Sequence, residues 1–500
     1  MKKLLRTLLC AGILGTALSV SAFAAGREAP ELQGDFYVLV NGQYVTFADA
    51  VPQLKDGRSY LPFVAVFDQL GFSEENMTWD AASATVTAEK EGVSISLTEG
   101  SATITVDRSG EVTQYQTDAA PYIDASTSRT YIPFGLAAEA LGYNVGWDAQ
   151  TGTVIIDDVD AILAANTETY ELMDRYLDYS RTYAEDNQQV TGTYAVGMDI
   201  AGTMVSEGQS IAMGFNFLAD GDYEMITSGS TALEFDTEMG LDLSMTMNGE
   251  EVAGLMEALG SGLPESVDVS MRGDLSDGAL YFQSAALEQL VMGQEQPANA
   301  WYRIDLKEMF DQMSGVMGMD YAALLQLSAA SLDMTFEEQL ELLLRTMEPT
   351  SVQLTASDYL AQLNALCADS SFERSGSRYV NTLNFGEGDS SGSVQEVDGT
   401  FTLYTSGSRV TGYALEMTAA VEEEAGALSM TLSAAMEGDR MEMAMDYTVT
   451  AEDSTVSFNM TMDGTYRTTS AQPETEPPAG AQIIDVTVPT ETVPAWAGTR

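Results

Sequence analysis

Most of the side chains in this sequence that could do chemistry are carboxylates. The 500 residues include 76 Asp and Glu but no His, and the two cysteines are Cys10 and Cys367. Without His, Ser-His-Asp and Cys-His nucleophilic systems are excluded, as are His-ligated copper, zinc and non-haem iron sites. One Cys beyond the N-terminal segment cannot form a Cys-based zinc site either. Catalysis would therefore have to use carboxylate, Lys, Tyr or Ser groups.

The acidic residues form no recognisable catalytic pair or metal loop. Acidic turns such as Asp220-Gly221-Asp222 lack the twelve-residue spacing and the terminal Glu of an EF-hand loop. Neighbouring carboxylates are expected by chance when acids are this frequent, so none is assigned as a general acid or base. We predict that the protein is not an enzyme and has no catalytic residue, no cofactor and no metal site.

The net charge of −55 limits the partners that the protein can bind. Beyond residue 24, only Lys55, Lys90 and Lys307 supply ammonium groups. Such a surface repels nucleic acid, whose binding depends on Lys and Arg contacts to phosphate, and it repels anionic lipid headgroups. We expect no nucleic-acid partner. The charge is interpreted either as a source of solubility or as a diffuse store for calcium or another divalent cation.

Residues 1–24 have the pattern of a secretory signal peptide. Basic residues including Lys2 and Lys3 precede an apolar stretch, and Ala22 and Ala24 fit the small-residue cleavage pattern. Lipidation at Cys10 is disfavoured because a large residue precedes it. No later stretch reaches 18 uninterrupted apolar residues, so no transmembrane span is expected in the mature chain. We predict a secreted, extracellular protein that is associated with the cell envelope.

One phrase occurs twice in the first third of the chain. GRSYLPFVAVFDQLGF occupies residues 57–72 and SRTYIPFGLAAEALGY occupies residues 128–143. In each phrase a Pro marks the start of a helix, apolar residues recur at i, i+3, i+4 and i+7, and a Gly marks its end. We predict two copies of a strand–helix–strand unit, at about residues 35–100 and 101–158.

Trp and Arg residues recur at matching positions in the two copies. Trp79 and Trp147 each precede an Asp and a strand, and we predict that both side chains are core residues rather than sugar-stacking platforms. Arg58 and Arg129 precede the two helices. They are interpreted either as a ligand clamp or as residues that fix the turn before each helix through backbone carbonyls or a carboxylate. Recurrence in both copies favours the second interpretation.

Residues 35–158 resemble the copper amine oxidase N-terminal-like domain. The shared pattern is Gly/Ser-Arg-Ser/Thr-Tyr-Leu/Ile-Pro-Phe, a helix ending in Leu-Gly-aromatic, then Trp-Asp and Thr-Val. Phe63 and Phe134 depart from the Arg that is common at that point in the family. The resemblance implies a stalk-like module of secreted and surface proteins, mostly of Gram-positive bacteria, that carries neither the copper ligands nor the Tyr-derived cofactor. Since the chain has no His, it cannot supply the copper site.

The region from residue 159 to 468 combines long alternating runs with helical segments. Alternation of apolar and polar residues predicts antiparallel strands with one dry and one wet face. These runs are residues 190–200, 233–247, 413–421, 428–436, 441–449 and 456–462. Helical periodicity is found at residues 159 to about 184, 321–347 and 359–368. The predicted fold class is α+β: a duplicated, small strand-helix-strand stalk-like domain followed by a large curved antiparallel β-sheet domain with packing helices.

Methionines are concentrated in this larger region, where all of the 27 except Met1 and Met77 lie beyond residue 170. They are interpreted either as core or as the lining of a surface that adapts to varied apolar partners. The layout is similar to that of bacterial lipoprotein-carrier proteins, whose half-open barrels close over acyl chains. The candidate ligand-lining residues are Phe235, Met239, Leu241, Leu243, Met245, Met247, Met430, Met441, Met443, Met445 and Met460.

The sequence thus predicts a secreted, non-catalytic cell-surface binding protein whose Met-rich sheet holds an amphiphilic or apolar ligand such as a lipid. The alternative is a structural or adhesive envelope protein with no ligand cavity. A cell-wall or surface-protein partner is expected in either case. The Pro-rich residues 469–500 are predicted to be a disordered tail.

Overall fold

The computed structural model describes most of the chain, and the predicted signal peptide lies outside the described residues. The described residues are 27–181, 187–206, 209–229, 231–252, 266–284, 297, 299–308, 310, 321, 322, 325, 334–388, 394–423, 426–451 and 453–486.

Residues 37–157 form a small domain of short strands and two helices. Its elements are β1 (Tyr37–Val40), β2 (Gln43–Tyr44), β3 (Gln53–Lys55), β4 (Arg58–Pro62), α1 (Phe63–Gln69), β5 (Met77–Asp80), β6 (Thr85–Lys90), β7 (Val93–Thr98), β8 (Thr103–Arg108), β9 (Glu111–Gln116), β10 (Tyr122–Asp124), β11 (Arg129–Pro133), α2 (Phe134–Leu141), β12 (Asn144–Asp148) and β13 (Thr153–Asp157). The two predicted helices are confirmed, although each begins one residue after its Pro, which is the last residue of the preceding strand.

The two copies of the repeated unit are interleaved. One sheet has the strand order β12-β13-β1-β2 and another has the order β5-β6-β7-β8-β9. Since β5 and β6 correspond to β12 and β13, and β8 and β9 to β1 and β2, the two sheets are equivalent apart from the added strand β7. The third sheet, β10-β11-β4-β3, combines both copies and is centred on the pairing of Leu61 with Ile132. These two residues occupy equivalent positions, so a pseudo-twofold axis relates the copies.

Contacts between the copies are reciprocal. The Tyr60 hydroxyl donates to the carbonyl of Ala120 at 3.4 Å, and the equivalent Tyr131 hydroxyl donates to the carbonyl of Val51 at 3.0 Å. The helices also meet in one core, where Phe67 is fully buried and lies edge-on to Phe134 of the other copy, with 5.9 Å between ring centroids. The duplicated units therefore build one domain with a shared core.

The prediction that both Trp side chains are core residues is wrong. Trp79 is 43% exposed and Trp147 is 49% exposed. The reason lies in their strands: β5 and β12 are each at the edge of a sheet, so a side chain there is covered on one flank only. Trp147 retains one aromatic neighbour, Phe36, with ring centroids 6.1 Å apart.

Because both Trp residues are half exposed, replacing either should cost little stability. We expect Trp79→Ala and Trp147→Ala each to lower the free energy of unfolding by less than about 1.5 kcal/mol, whereas truncating a fully buried aromatic residue costs about 3–5 kcal/mol. Phe67→Ala provides that comparison within the same domain. Urea unfolding of the three variants checks this expectation, and a loss above about 3 kcal/mol for either Trp variant would contradict it.

The remainder of the described chain is dominated by long strands. Its elements are α3 (Val159–Ala165), α4 (Glu171–Arg181), β14 (Gln188–Ser206), β15 (Gln209–Ser228), β16 (Ala232–Met247), β17 (Glu250–Glu251), β18 (Ser266–Asp274), β19 (Ala279–Gln283), β20 (Ala300–Asp305), α5 (Phe336–Thr346), α6 (Ala356–Cys367), β21 (Glu373–Ser375), β22 (Arg378–Gly388), β23 (Val394–Ser406), β24 (Arg409–Glu423), β25 (Gly426–Glu437), β26 (Arg440–Ala451), β27 (Ser454–Thr468) and β28 (Gln482–Val486).

These strands form one sheet, as the alternating runs predicted. Its order is β21-β22-β23-β24-β25-β26-β27-β14-β15-β16-β18-β19-β20-β28, with β17 beside β16. Strands β21 to β27 are a meander of consecutive antiparallel neighbours, because short turns can join only antiparallel strands. The α+β fold class is confirmed.

Two predictions about single elements are corrected. The predicted helix from residue 159 to about 184 is two helices, α3 and α4, separated at residues 166–170. The Asp369 carboxylate accepts hydrogen bonds from the backbone N–H groups of Glu171 and Leu172, which starts a new helix there. The tail was predicted to be disordered from residue 469, but β28 pairs in parallel with β20. Residues 487–500 lie outside the described residues.

The small domain is joined to the large one through β12 and β13. The Asn144 side chain donates to the backbone carbonyls of Leu344 (2.7 Å) in the last turn of α5 and of Met347 (3.1 Å) just after it. The Asp148 carboxylate accepts a hydrogen bond from the backbone N–H of Val352 at 3.1 Å. These bonds bind the segment between α5 and α6 to the edge of a sheet in the small domain.

Candidate apolar binding site

One face of the large sheet is mainly apolar in its central strands β14, β15, β16 and β27. In β14 and β15, Val196 is paired with Ala219, Met198 with Phe217 and Ile200 with Phe215. The same face continues into β16 and β27. Residues at the alternate positions, such as Asp199 and Asn216, point to the opposite side. We call the first side, with even positions of β14 and β27 and odd positions of β15 and β16, the apolar face.

Helices cover one half of the apolar face. Tyr176 of α4 is buried against Phe401 and Tyr413, with ring centroids 6.1 and 5.4 Å apart. Leu343 of α5 and Leu363 of α6 belong to the same core. Near the starts of β14 and β24, the helices therefore bury the apolar face of the sheet in a shared core.

Two Tyr residues mark the border of the covered half. Tyr223 lies across Gly464, where a Cβ would approach its hydroxyl to 2.4 Å, and it donates to the backbone carbonyl of Asp463 at 2.9 Å. The hydroxyl of Tyr194 is 3.0 Å from that of Thr237. Burial raises the pKa of Tyr223 and of Tyr194, and nearby carboxylates add to the effect. Both hydroxyls therefore remain protonated at neutral pH and can donate hydrogen bonds.

Beyond this border the apolar face contains a cavity of about 360 Å³. Its apolar lining is Ile200, Met213, Phe215 and Met245, and Ile200 is 39% exposed. Asp453 contributes to its rim, where its backbone carbonyl accepts a hydrogen bond from the N–H of Thr203 at 2.8 Å. The volume lies within the range of about 300–1,000 Å³ that is typical of small-molecule sites. The lining suits an apolar group and offers no catalytic arrangement.

A second cavity, of about 370 Å³, lies where the small domain meets α3 and α6. Its polar side chains already bond one another: the Asn364 amide donates to Asn166 at 3.0 Å, and the Asn166 amide donates to Tyr170 at 2.8 Å. The Asn41 side chain accepts a hydrogen bond from the backbone N–H of Asp158 at 2.7 Å. Since these groups are occupied in holding the elements together, we regard this cavity as part of the junction.

All eleven candidate ligand-lining residues lie on the apolar face. Of these eleven, only Met245 lines the cavity. Met441 is fully buried in the core beneath the helices, and Phe235 and Met443 pack against that core. Met247 is 43% exposed. The remaining candidates, which are half-buried without lining the cavity, are Met239, Leu241, Leu243, Met430, Met445 and Met460.

The sequence reasoning missed Ile200, Met213 and Phe215. Ile200 was recognised as a strand residue, but the candidates were selected from the most Met-rich strands. The missing signal was available in β15, where alternate residues from Ile211 to Phe217 are apolar. Pairing β15 with β14 would have brought Phe215 opposite Ile200.

The recurring Arg residues form ion pairs across the two copies of the small domain. Arg58 pairs with Asp118, and Arg129 pairs with Asp49 at the equivalent position of the other copy. All four side chains are more than half exposed. This geometry agrees with the interpretation that each Arg fixes the segment before its helix through a carboxylate. Exposed pairs of this kind contribute about 0–1 kcal/mol each.

Comparison with known protein families matches the small domain. The family model for the copper amine oxidase N-terminal domain matches residues 39–156 and, in an overlapping match, residues 110–175. The resemblance predicted from the repeated phrases is thus confirmed. The matched domain is a stalk-like, non-catalytic part of that family. No curated protein matches the chain.

Similar solved structures include two proteins of Pseudomonas. An outer membrane channel from Pseudomonas putida F1 is 8% identical, covers 55% of this chain and 95% of its own, and gives a TM-score of 0.16. OccK7 from Pseudomonas aeruginosa is 5% identical, covers 57% of this chain and 99% of its own, and gives a TM-score of 0.10. Scores this low support no conclusion about fold or function. Among the described residues, no helix is both long enough and apolar enough to cross a membrane.

Proposed function

We propose that this chain is a secreted, non-catalytic cell-surface protein that binds an apolar or amphiphilic small molecule in the cavity lined by Ile200, Met213, Phe215 and Met245. The observation that carries the proposal is this cavity, which lies on the half of the apolar face that the helices do not cover. A ligand that buries apolar surface there gains about 25 cal/mol for each Å² removed from water. The signal-peptide pattern of residues 1–24 and the match to a stalk-like domain support a position at the cell surface.

The cavity can be tested with a pair of matched variants. Ile200 and Leu218 lie on neighbouring strands, are 39% and 37% exposed, and point to opposite faces of the sheet. We expect Ile200→Asn to weaken binding of the uncharged fluorescent probe N-phenyl-1-naphthylamine by about tenfold, which corresponds to 1.4 kcal/mol, because it places an amide in the cavity. Leu218→Asn should leave binding unchanged. The measurement is a fluorescence titration of each full-length mature protein.

Two outcomes would count against the proposal. If the unsubstituted protein takes up no probe, the alternative of a structural or adhesive envelope protein becomes the better account. If both variants weaken binding equally, the probe binds elsewhere on the sheet. If the circular dichroism spectra of both variants equal that of the unsubstituted protein, neither substitution disrupts the strands.

A further inference from the structure

Three of the strands beside the cavity, β14, β15 and β16, contain no cationic residue. No Lys, Arg or His occurs between Arg181 and Arg272, a segment that includes all of β14, β15 and β16. The same segment carries acidic residues on several of its strands, such as Asp199, Asp220 and Asp242. These three side chains point to the polar side of the sheet, so β14, β15 and β16 add negative charge behind the cavity and no cation to offset it.

The nearest cationic residue on β27 lies far from the cavity. Arg467 is near the opposite end of this strand and donates to the Gln189 side chain at 2.8 Å. Ser454, which lines the cavity, is thirteen residues away along the same strand, or about 44 Å at 3.4 Å per residue. This separation exceeds the Debye length of about 8 Å at physiological ionic strength, so Arg467 does not offset the negative charge at the cavity.

One exposed acidic residue lies at the rim of the cavity, and a second lies two strands away. Asp453 lines the cavity, and no Lys or Arg side chain of the described chain pairs with its carboxylate. Close by, Glu250 is paired with Met247 of β16, and Met247 is paired with the cavity residue Met213 of β15. The site thus combines an apolar interior with a negative entrance.

We propose that the ligand of this cavity is a cationic amphiphile, with an apolar chain inside the cavity and an ammonium or guanidinium group beside Asp453. This inference rests on the proposed binding function and specifies the charge of the ligand. A fatty-acid anion would bring its carboxylate to the rim beside the Asp453 carboxylate, and two like charges so placed repel one another. A cation there is attracted both by Asp453 and by the field of the whole acidic protein.

The test compares three probes with the same twelve-carbon chain: dodecyltrimethylammonium, dodecyl maltoside and dodecanoate. Each is titrated into the full-length mature protein by calorimetry, below its micelle concentration and at low salt. We expect the cation to bind at least about tenfold more tightly than the uncharged probe, and the anion to bind most weakly. Asp453→Asn should reduce the preference for the cation over the uncharged probe by about two- to fivefold, as expected for one exposed charge pair.

Controls separate the cavity from general attraction to an acidic surface. Asp242→Asn removes the same charge from the polar side of β16, opposite Leu218, and should not change the preference. Tetramethylammonium, which has the headgroup without the chain, should not bind measurably. Ile200→Asn should weaken all three twelve-carbon probes alike.

The failures of the two proposals are distinguishable. If all three probes bind equally well and are weakened by Ile200→Asn, the cavity binds apolar chains but the inference about charge is wrong. If the cation binds and Ile200→Asn has no effect, the cation adsorbs to the surface and the inference is also wrong. If neither these probes nor N-phenyl-1-naphthylamine bind, the proposed binding function itself fails.

Discussion

Replacing Asp157 by Asn is expected to stabilise the protein at neutral pH by up to about 3 kcal/mol. Asp157 ends β13 and is 1% exposed. One carboxylate oxygen accepts a hydrogen bond from the Ala356 backbone N–H at 3.1 Å, and the other has no hydrogen-bond partner in the described part of the chain. Burial raises the pKa of this carboxyl from 3.8 to about 6, and the nearby Asp358 carboxylate adds to the effect of burial. A difference of this size corresponds to about 3 kcal/mol.

The stabilisation by Asp157→Asn is expected to depend on pH. The folded protein binds the Asp157 proton more tightly than the unfolded chain does, so ionisation of this group costs no stability below about pH 4. The cost grows as the pH rises to about 6 and is constant above it. The advantage of Asp157→Asn should therefore be large in urea unfolding at pH 7.5 and nearly absent at pH 4. An advantage that is equal at both pH values would contradict this account.

Asp124→Asn is a control variant that is expected to change stability in the opposite direction. The Asp124 carboxylate accepts hydrogen bonds from Ser126 and Thr127, and these bonds lower its pKa. This group therefore stabilises the folded protein above its unfolded pKa, and the contribution is lost as the pH falls. Asp124→Asn is expected to reduce stability at pH 7.5.

Gly146→Ala is expected to loosen the junction between the two domains. A Cβ at this position of β12 would lie 1.7 Å from the backbone carbonyl oxygen of Pro349, which is a severe steric clash. The segment between α5 and α6 would have to move away, which strains the adjoining bonds from Asn144 and to Asp148. We expect a loss of about 1–3 kcal/mol in the free energy of unfolding, the usual cost of overpacking. Limited proteolysis should cut the segment around Pro349 more rapidly than in the unsubstituted protein.

Gly135→Ala is the matched control for this substitution. Gly135 lies in α2 of the same domain, and its Cβ would make one ordinary contact, at 3.8 Å to Val145. Alanine is favoured over glycine in a helix by about 1 kcal/mol, so this variant should be slightly stabilised. If Gly146→Ala also leaves stability and proteolysis unchanged, the Pro349 segment does not rest on β12 in solution.

Features that depend on residues close together along the chain were predicted correctly from the sequence. Features that depend on pairing between distant segments were not. The long strands from Leu233 to Met247 and beyond follow from a two-residue period, and their order follows from short turns. The interleaving of the two copies depends on pairs such as Leu61 and Ile132, which no local pattern reveals. Trp79 and Trp147 were misassigned for the same reason: whether a strand lies at the edge of a sheet is a property of the assembled sheet.

The candidate site was predicted in part. Alternation identified the apolar face correctly, and Met245 of the cavity was among its candidates. Alternation could not show which part of that face the helices cover. That division depends on where α4, α5 and α6 pack, and it placed Met441 in the core while Ile200 remained accessible.

The pseudo-twofold axis gives the small domain two equivalent edges, at β5 and β12, but one residue difference makes the domain directional. Thr78 occupies in β5 the position that Gly146 occupies in β12. A segment that approached β5 as closely as Pro349 approaches β12 would collide with the Thr side chain. The close contact that joins this module to the following domain can thus form at the β12 edge and not at the β5 edge, although the two edges are otherwise equivalent.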